Sequence, residues 1–130
     1  MKIKPEVEKH FGVQLTGCEK PQFLVYREGD FFVAHRDTND DPRGVEGLKE
    51  RRISVVIFLN RPSDEAVPDS FSGGSLVFYG LIDAPEWKEY GFCLDGEAGL
   101  LIAFRSEILH EVTGVTSGER FTIVSWFLDA

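Results

Sequence analysis

The nine residues Arg52–Asn60 (Arg-Ile-Ser-Val-Val-Ile-Phe-Leu-Asn) are apolar at positions of both parities. Successive side chains of a strand point to opposite faces, so this run is covered on both faces and belongs in the middle of a sheet. A central strand needs a partner along each edge and a layer on each side. The rest of the chain offers mainly strands to meet that demand: Gln22–Tyr26, Phe31–Asp37, Ser75–Tyr79, Leu100–Phe104, Ile108–Val112 and Arg120–Leu128. Turn chemistry separates them, consistent with 13 Gly and 6 Pro. About eight strands in this length read as one mainly β domain over residues 1–130, a sandwich or barrel. One short helix is expected at Lys4–Phe11, with Pro5 in its first turn and Gly12 ending it. Val7 and Phe11, four apart, should pack inward. Asp83–Gly91 reads as one or two helical turns capped by Asp83 and closed by Gly91. Thr38–Glu50 and Arg61–Ser72 read as polar loops.

Composition narrows the function classes. The net charge of −8 disfavours nucleic acid as the main partner, because such binders usually carry a basic face. No apolar run approaches the roughly 18 residues of a membrane span, and the start, Met1-Lys2-Ile3-Lys4-Pro5, has no signal-peptide core. Cys18 and Cys93 are therefore read as reduced thiols of a cytoplasmic protein, with Cys93 in the core as a small hydrophobe.

The chemistry concentrates in Phe31–Asp37. Phe31, Val33, His35 and Asp37 alternate, so an apolar pair is expected to share a face with an imidazole and a carboxylate. His110, ending another apolar stretch, offers a third ligand. Two histidines and one carboxylate leave about three positions open on an octahedral ion, the arrangement of non-haem Fe(II) oxygenases. The plainer alternative is a surface His–Asp pair and a structural histidine. Arg120 opens the most apolar strand, sharing a face with Thr122, Val124 and Trp126. A part-buried arginine wants a planar anion; the alternative is an edge arginine paired with Glu119 or Glu111. Lys49, Arg51 and Arg52, with Arg36 and Arg43, form a basic cluster, read as a solvated face balancing Asp40, Asp41, Glu46 and Glu50 or as a mobile loop over a cleft. His10 is an ordinary surface histidine.

Tyr-x-x-Gly-Asp-Phe-Phe-x-x-His-x-Asp at Tyr26–Asp37 resembles the metal-binding strand of 2-oxoglutarate- and Fe(II)-dependent dioxygenases of the prolyl 4-hydroxylase type. So do Gly73-Gly74-Ser75-Leu76, then Gly99–Phe104 leading to His110, then Gly118-Glu119-Arg120-Phe121-Thr122. The resemblance runs in order from about Pro21 to Ala130 and implies a double-stranded β-helix, or jelly roll, with the short helix ahead of it. It implies that His35, Asp37 and His110 hold Fe(II). Arg120 would clamp the distal carboxylate of 2-oxoglutarate with Thr122 beside it, and Tyr26 would donate a hydrogen bond to the same cosubstrate. Trp126, Leu76 and Phe58 would be wall positions; some relatives carry a tyrosine where Phe58 falls, which makes Tyr26 the donor here. Ascorbate enters as a candidate reductant. The implied reaction oxidatively decarboxylates 2-oxoglutarate to succinate and carbon dioxide and hydroxylates a carbon, first of all in a prolyl residue of a protein or peptide. A free amino acid or other small molecule is the second substrate class, and a non-catalytic cupin-like metal binder is a third reading, against which Arg120 argues. Only about twenty residues precede the first matching strand, fewer than relatives carry, which makes the chain a minimal form or a piece of a longer one.

Overall fold

The computed structural model describes residues 3–38, 50–63, 65 and 67–129. In chain order its elements are α1 (Lys4–Phe11), β1 (Gly17–Cys18), β2 (Gln22–Tyr26), β3 (Phe32–His35), β4 (Arg51–Phe58), β5 (Arg61–Pro62), β6 (Ser70–Gly73), β7 (Leu76–Tyr79), a 3-10 turn at Pro85–Trp87, β8 (Gly91–Leu94), β9 (Leu101–Arg105), β10 (His110–Val112), β11 (Val115–Gly118) and β12 (Arg120–Leu128). β4 lies inside the largest sheet, in the order β1-β12-β4-β9, with β2 also paired to β12. A second sheet runs β3-β10-β7-β8, and a small third one β11-β6-β5. The pairs of the two larger sheets are antiparallel, and the sandwich they form is a jelly roll.

The two faces of β4 enter two cores. Ile53 and Val55 pack with Phe127 under α1, against Val7 and Leu15. Phe58, on the other face, packs with Leu76, Phe78, Phe104 and Val112 between the sheets. Each such side chain contributes about 1.5–3 kcal/mol when fully buried, so the double-faced apolar run anchors both layers. α1 has the expected bounds; Gly12 adopts φ 66° and returns its N–H to the Glu8 carbonyl. Val7 is buried and Phe11 packs beside it.

The structure departs from the sequence reading in several elements. β6 lies mostly in the Arg61–Ser72 stretch read as loop, and β11 covers most of Thr116–Glu119, whose Ser-Gly pair reads as the turn before the last strand. Their sequences, Ser-Phe-Ser-Gly and Val-Thr-Ser-Gly, carry little apolar alternation, and they are strands because they pair with each other, Val115 opposite Gly73 and Gly118 opposite Phe71. That pairing brings backbones so close that a Cβ on Gly73 or Gly118 would collide with the carbonyl oxygen of Gly114 or Ser70. The 3-10 turn is preceded by an extended Ala84 without a side-chain cap, so Asp83 is not its cap. Cys93 is exposed rather than core, because β8 is the outermost strand of its sheet. Cys18 and Cys93 are both free, and His10 is exposed. Among the described residues no helix is long and apolar enough to cross a membrane.

Candidate metal and cosubstrate site

His35 ends β3 and His110 opens β10, and the two are directly opposite each other in the ladder. Between this pair and the next, Val112 opposite Phe32, the register slips. Three residue steps on β3 face two on β10, the signature of a bulge. The slip overturns the expected alternation. Phe31 and Val33 are each 62% exposed and enclose nothing, whereas Phe32 turns onto the His35 ring at 3.9 Å between centroids. Asp37 lies beyond the strand, its N–H donating to the Ser106 carbonyl at 2.9 Å.

Asp37 Oδ1 sits 3.2 Å from His35 Nε2 and 3.4 Å from His110 Nε2. Two ligand atoms in adjacent octahedral positions, each about 2.1 Å from a metal, are about 3 Å apart, so these spacings suit one shared ion. The three ligand atoms all lie within 4.8 Å of one another. Each imidazole is oriented by its other nitrogen: Nδ1 of His35 bonds the Val33 carbonyl at 2.7 Å and Nδ1 of His110 the Ile108 carbonyl at 2.8 Å. A backbone carbonyl can only accept, so Nδ1 carries the proton and Nε2 keeps a lone pair for a metal. Asp37 Oδ2 is occupied by the Ser54 hydroxyl at 2.6 Å and by Trp126 Nε1–H at 3.0 Å, which leaves Oδ1 as the free ligand. Burial alone would raise the Asp37 carboxyl, but hydrogen bonding to His110, His35 and Ser54 holds it far below the usual carboxylate range. Burial would lower His35; its bonds to Asp37 and the Val33 carbonyl outweigh that and raise it.

The same cavity, about 520 Å³, is lined by all three of these residues and by Tyr26, Arg120 and Thr122. Arg120 is 2% exposed, with its guanidinium 5.3 Å from the Tyr26 ring and 5.5 Å from the Phe58 ring. Neither alternative partner holds it: Glu119 bonds Arg27, and Glu111 accepts from the Tyr79 hydroxyl. Its Nε and the Thr122 hydroxyl are buried without a hydrogen-bond partner. Two orphaned donors beside each other in a cavity are costly unless an acceptor from outside completes them. They fit a carboxylate, which takes two parallel bonds from a guanidinium.

Residues 21–128 match the 2OG-Fe(II) oxygenase superfamily.
The chain belongs to that superfamily.
A PKHD-type hydroxylase of Shewanella sp. (strain ANA-3) is 33% identical over 106 residues, covering 82% of this chain and 41% of its own. The chain thus spans about two fifths of the length of the curated relatives it matches. Among solved structures, a Pseudomonas putida prolyl-4-hydroxylase superposes with a TM-score of 0.74 at 23% identity, over 99% of this chain and 62% of the other. A Trichoplax adhaerens prolyl hydroxylase in complex with a hypoxia inducible factor oxygen degradation domain peptide fragment does so with 0.64 at 24% identity, over 88% and 46%.

Within this 2OG-Fe(II) oxygenase chain, all six residues singled out from the sequence meet in one cavity. Leu76 lines it as expected, and Phe58 backs the arginine from the core. Trp126 does more than line the wall, since it holds Asp37. Of the basic cluster, Lys49 and Arg43 lie outside the described residues, as does most of the Thr38–Glu50 loop. Arg51 is not a solvated loop charge: it bonds Glu19 and stacks 3.7 Å over Trp126.

Sequence reasoning missed Ser54 and Ser106. Both are buried, their hydroxyls are 2.9 Å apart, and the Ser106 carbonyl anchors the Asp37 backbone. The available signal was Ser54 itself, a lone hydroxyl inside an apolar central strand. Ser54→Ala should lower Fe(II) affinity by about 10- to 100-fold while leaving the thermal midpoint within a few degrees, because an outer-shell bond to the ligand is lost and no ligand is. Competition against a chromophoric chelator measures it, and an unchanged affinity would show that Ser54 does not orient Asp37.

Proposed function

We propose that this chain is an Fe(II)- and 2-oxoglutarate-dependent dioxygenase that hydroxylates a prolyl residue of a protein or peptide. The observation that carries it is the pair of unsatisfied buried donors, Arg120 Nε and Thr122 Oγ1, in one cavity with His35, Asp37 and His110. A plain metal-binding jelly roll has no use for a carboxylate clamp inside its barrel. In this reading His35, Asp37 and His110 hold the iron, and Arg120 with Thr122 takes the far carboxylate of 2-oxoglutarate. Tyr26, paired directly opposite Arg120 in the β2–β12 ladder, donates to the same cosubstrate. Bound Fe(II) would supply dioxygen activation there, with dioxygen as the oxidant and 2-oxoglutarate as the two-electron co-reductant: one oxygen atom would end in succinate, released with carbon dioxide, and the other in the substrate's new hydroxyl. The chain's own part is to orient these groups and keep water out. Phe32, Leu76, Phe104 and Val112 give the cavity the apolar wall that this exclusion needs. The peptide substrate is supported by the fold shared with prolyl hydroxylases.

The test is anaerobic loading with Fe(II) and 2-oxoglutarate, then exposure to air with a panel of proline-containing peptides. Succinate release should rise on adding a cognate peptide, and that peptide should gain one oxygen atom by mass spectrometry. Oxygenation of a small metabolite with every peptide untouched would move the enzyme to the small-molecule class.

A further inference from the structure

A second groove, about 570 Å³, adjoins the iron cavity at the end of the sheet that carries both histidines. Ile108 and Leu109, the two residues before His110, form one wall; Ile82, Pro85 and Lys88, from the β7–β8 connection, form another. Arg36 lines both this groove and the iron cavity. It stands in sequence between His35 and Asp37, and its side chain is exposed. In a chain of net charge −8 it is bonded to no carboxylate among the described residues. The other charges of the groove are Lys88, Asp83 and Glu107, and Arg36 is the one charged residue that lines both spaces. The β7–β8 connection also exposes Trp87 and Tyr90, which pack edge to face with centroids 5.4 Å apart, and Ile82 at 53% exposure. Ile82, Pro85, Ile108 and Leu109 give the groove an apolar lining, with the exposed Trp87–Tyr90 pair on the same connection outside it, and such a surface suits an extended peptide chain.

We infer that this groove holds the segment of a peptide substrate flanking the hydroxylated residue, and that Arg36 selects an acidic side chain in that segment. A small substrate would fill the iron cavity alone; two adjoining spaces of similar size with a common wall suit a longer one. The inference rests on the peptide reading given above and adds to it where the chain runs and which charge it carries. Arg36 is a specificity residue here, since it touches substrate away from the reacting carbon. The expected discrimination is that of a part-exposed charge pair, about three- to tenfold and weakened by salt.

The experiment measures binding first. Protein loaded with Mn(II) and 2-oxoglutarate is titrated with fluorescent proline-centred peptides whose flanks are acidic, neutral or basic, and anisotropy gives the affinity. Acid-flanked peptides should bind about three- to tenfold tighter than basic ones at low salt. Arg36→Gln should level the series, and Arg36→Glu should invert it, each variant being titrated at saturating Mn(II) so that any change in metal affinity does not enter. Ile82→Asn, a neutral change on the far wall, should weaken every peptide and keep the order. The same peptides are then assayed with Fe(II) and air. Charge-ordered, Arg36-dependent binding without hydroxylation would uphold the groove and overturn the prolyl hydroxylase reading. Hydroxylation whose peptide order is unmoved by Arg36→Glu would do the reverse. If no peptide binds, the groove assignment is wrong.

Discussion

Replacing His110 with alanine should abolish tight Fe(II) binding. The residue is one of the three clustered side chains that would ligate the ion, and no other described histidine, cysteine or carboxylate joins that cluster. Outer-shell losses already cost metal sites about 10- to 100-fold, and removing a ligand should exceed that. His35→Ala and Asp37→Ala should do the same, with the fold kept, since neither side chain belongs to the two apolar clusters. Affinity of the parent protein should also fall as pH drops, because both Nε2 atoms must be unprotonated to bind. Asp37 raises His35 in the metal-free protein, so the decline should start above the pH of an ordinary histidine, about 6.5. The metal-free fold should behave in the opposite sense. A raised His35 stabilises it below the unfolded-state value, and that contribution is lost as pH rises through the folded one. Anaerobic chelator competition across pH, beside thermal melts of the stripped protein, reads both slopes. A His110→Ala protein that held iron like its parent would refute the ligand set.

Arg120→Ala should leave iron binding nearly intact and weaken 2-oxoglutarate by about thirtyfold to several thousandfold, the effect of truncating one partner of a buried charge pair worth about 2–5 kcal/mol. The arginine is not among the three clustered metal-ligand residues, and removing it takes nothing from the ion. Burial lowers its pKa, offset in part by Tyr26, yet a guanidinium stays charged in this setting. Without cosubstrate its Nε has no partner, so the alanine variant discards a buried, unsatisfied group and should fold with less penalty than it binds. Arg120→Lys should fall between, keeping the charge and losing the planar fork. Anaerobic titration following the iron–keto-acid absorbance measures this. Parent-like affinity in Arg120→Ala would place the clamp elsewhere and remove the strongest argument for an oxygenase over a metal binder.

Much of this protein could be read from its residues because the signals are local. The two-faced apolar run placed β4 inside a sheet, Pro5 and Gly12 bounded α1, and the spacing of His35, Asp37, His110 and Arg120 carried the family resemblance. Each depends on backbone geometry within a few residues or on a motif fixed in order. The tertiary structure decided what depends on partners distant in sequence. β6 and β11 are strands only because they find each other, across 42 positions from Gly73 to Val115. Phe32 rather than Phe31 faces the metal site because a bulge against β10 shifts the alternation, and bulges leave no mark in one strand's own sequence. Cys93 is exposed because β8 happens to be an edge, a fact of sheet order rather than of hydrophobicity. Asp37 is held by Ser54, Ser106 and Trp126, which come from the middle of β4, the turn after β9 and the end of β12. Sequence could name the carboxylate; only the packing of the two sheets could say which of its oxygens is left free for a metal.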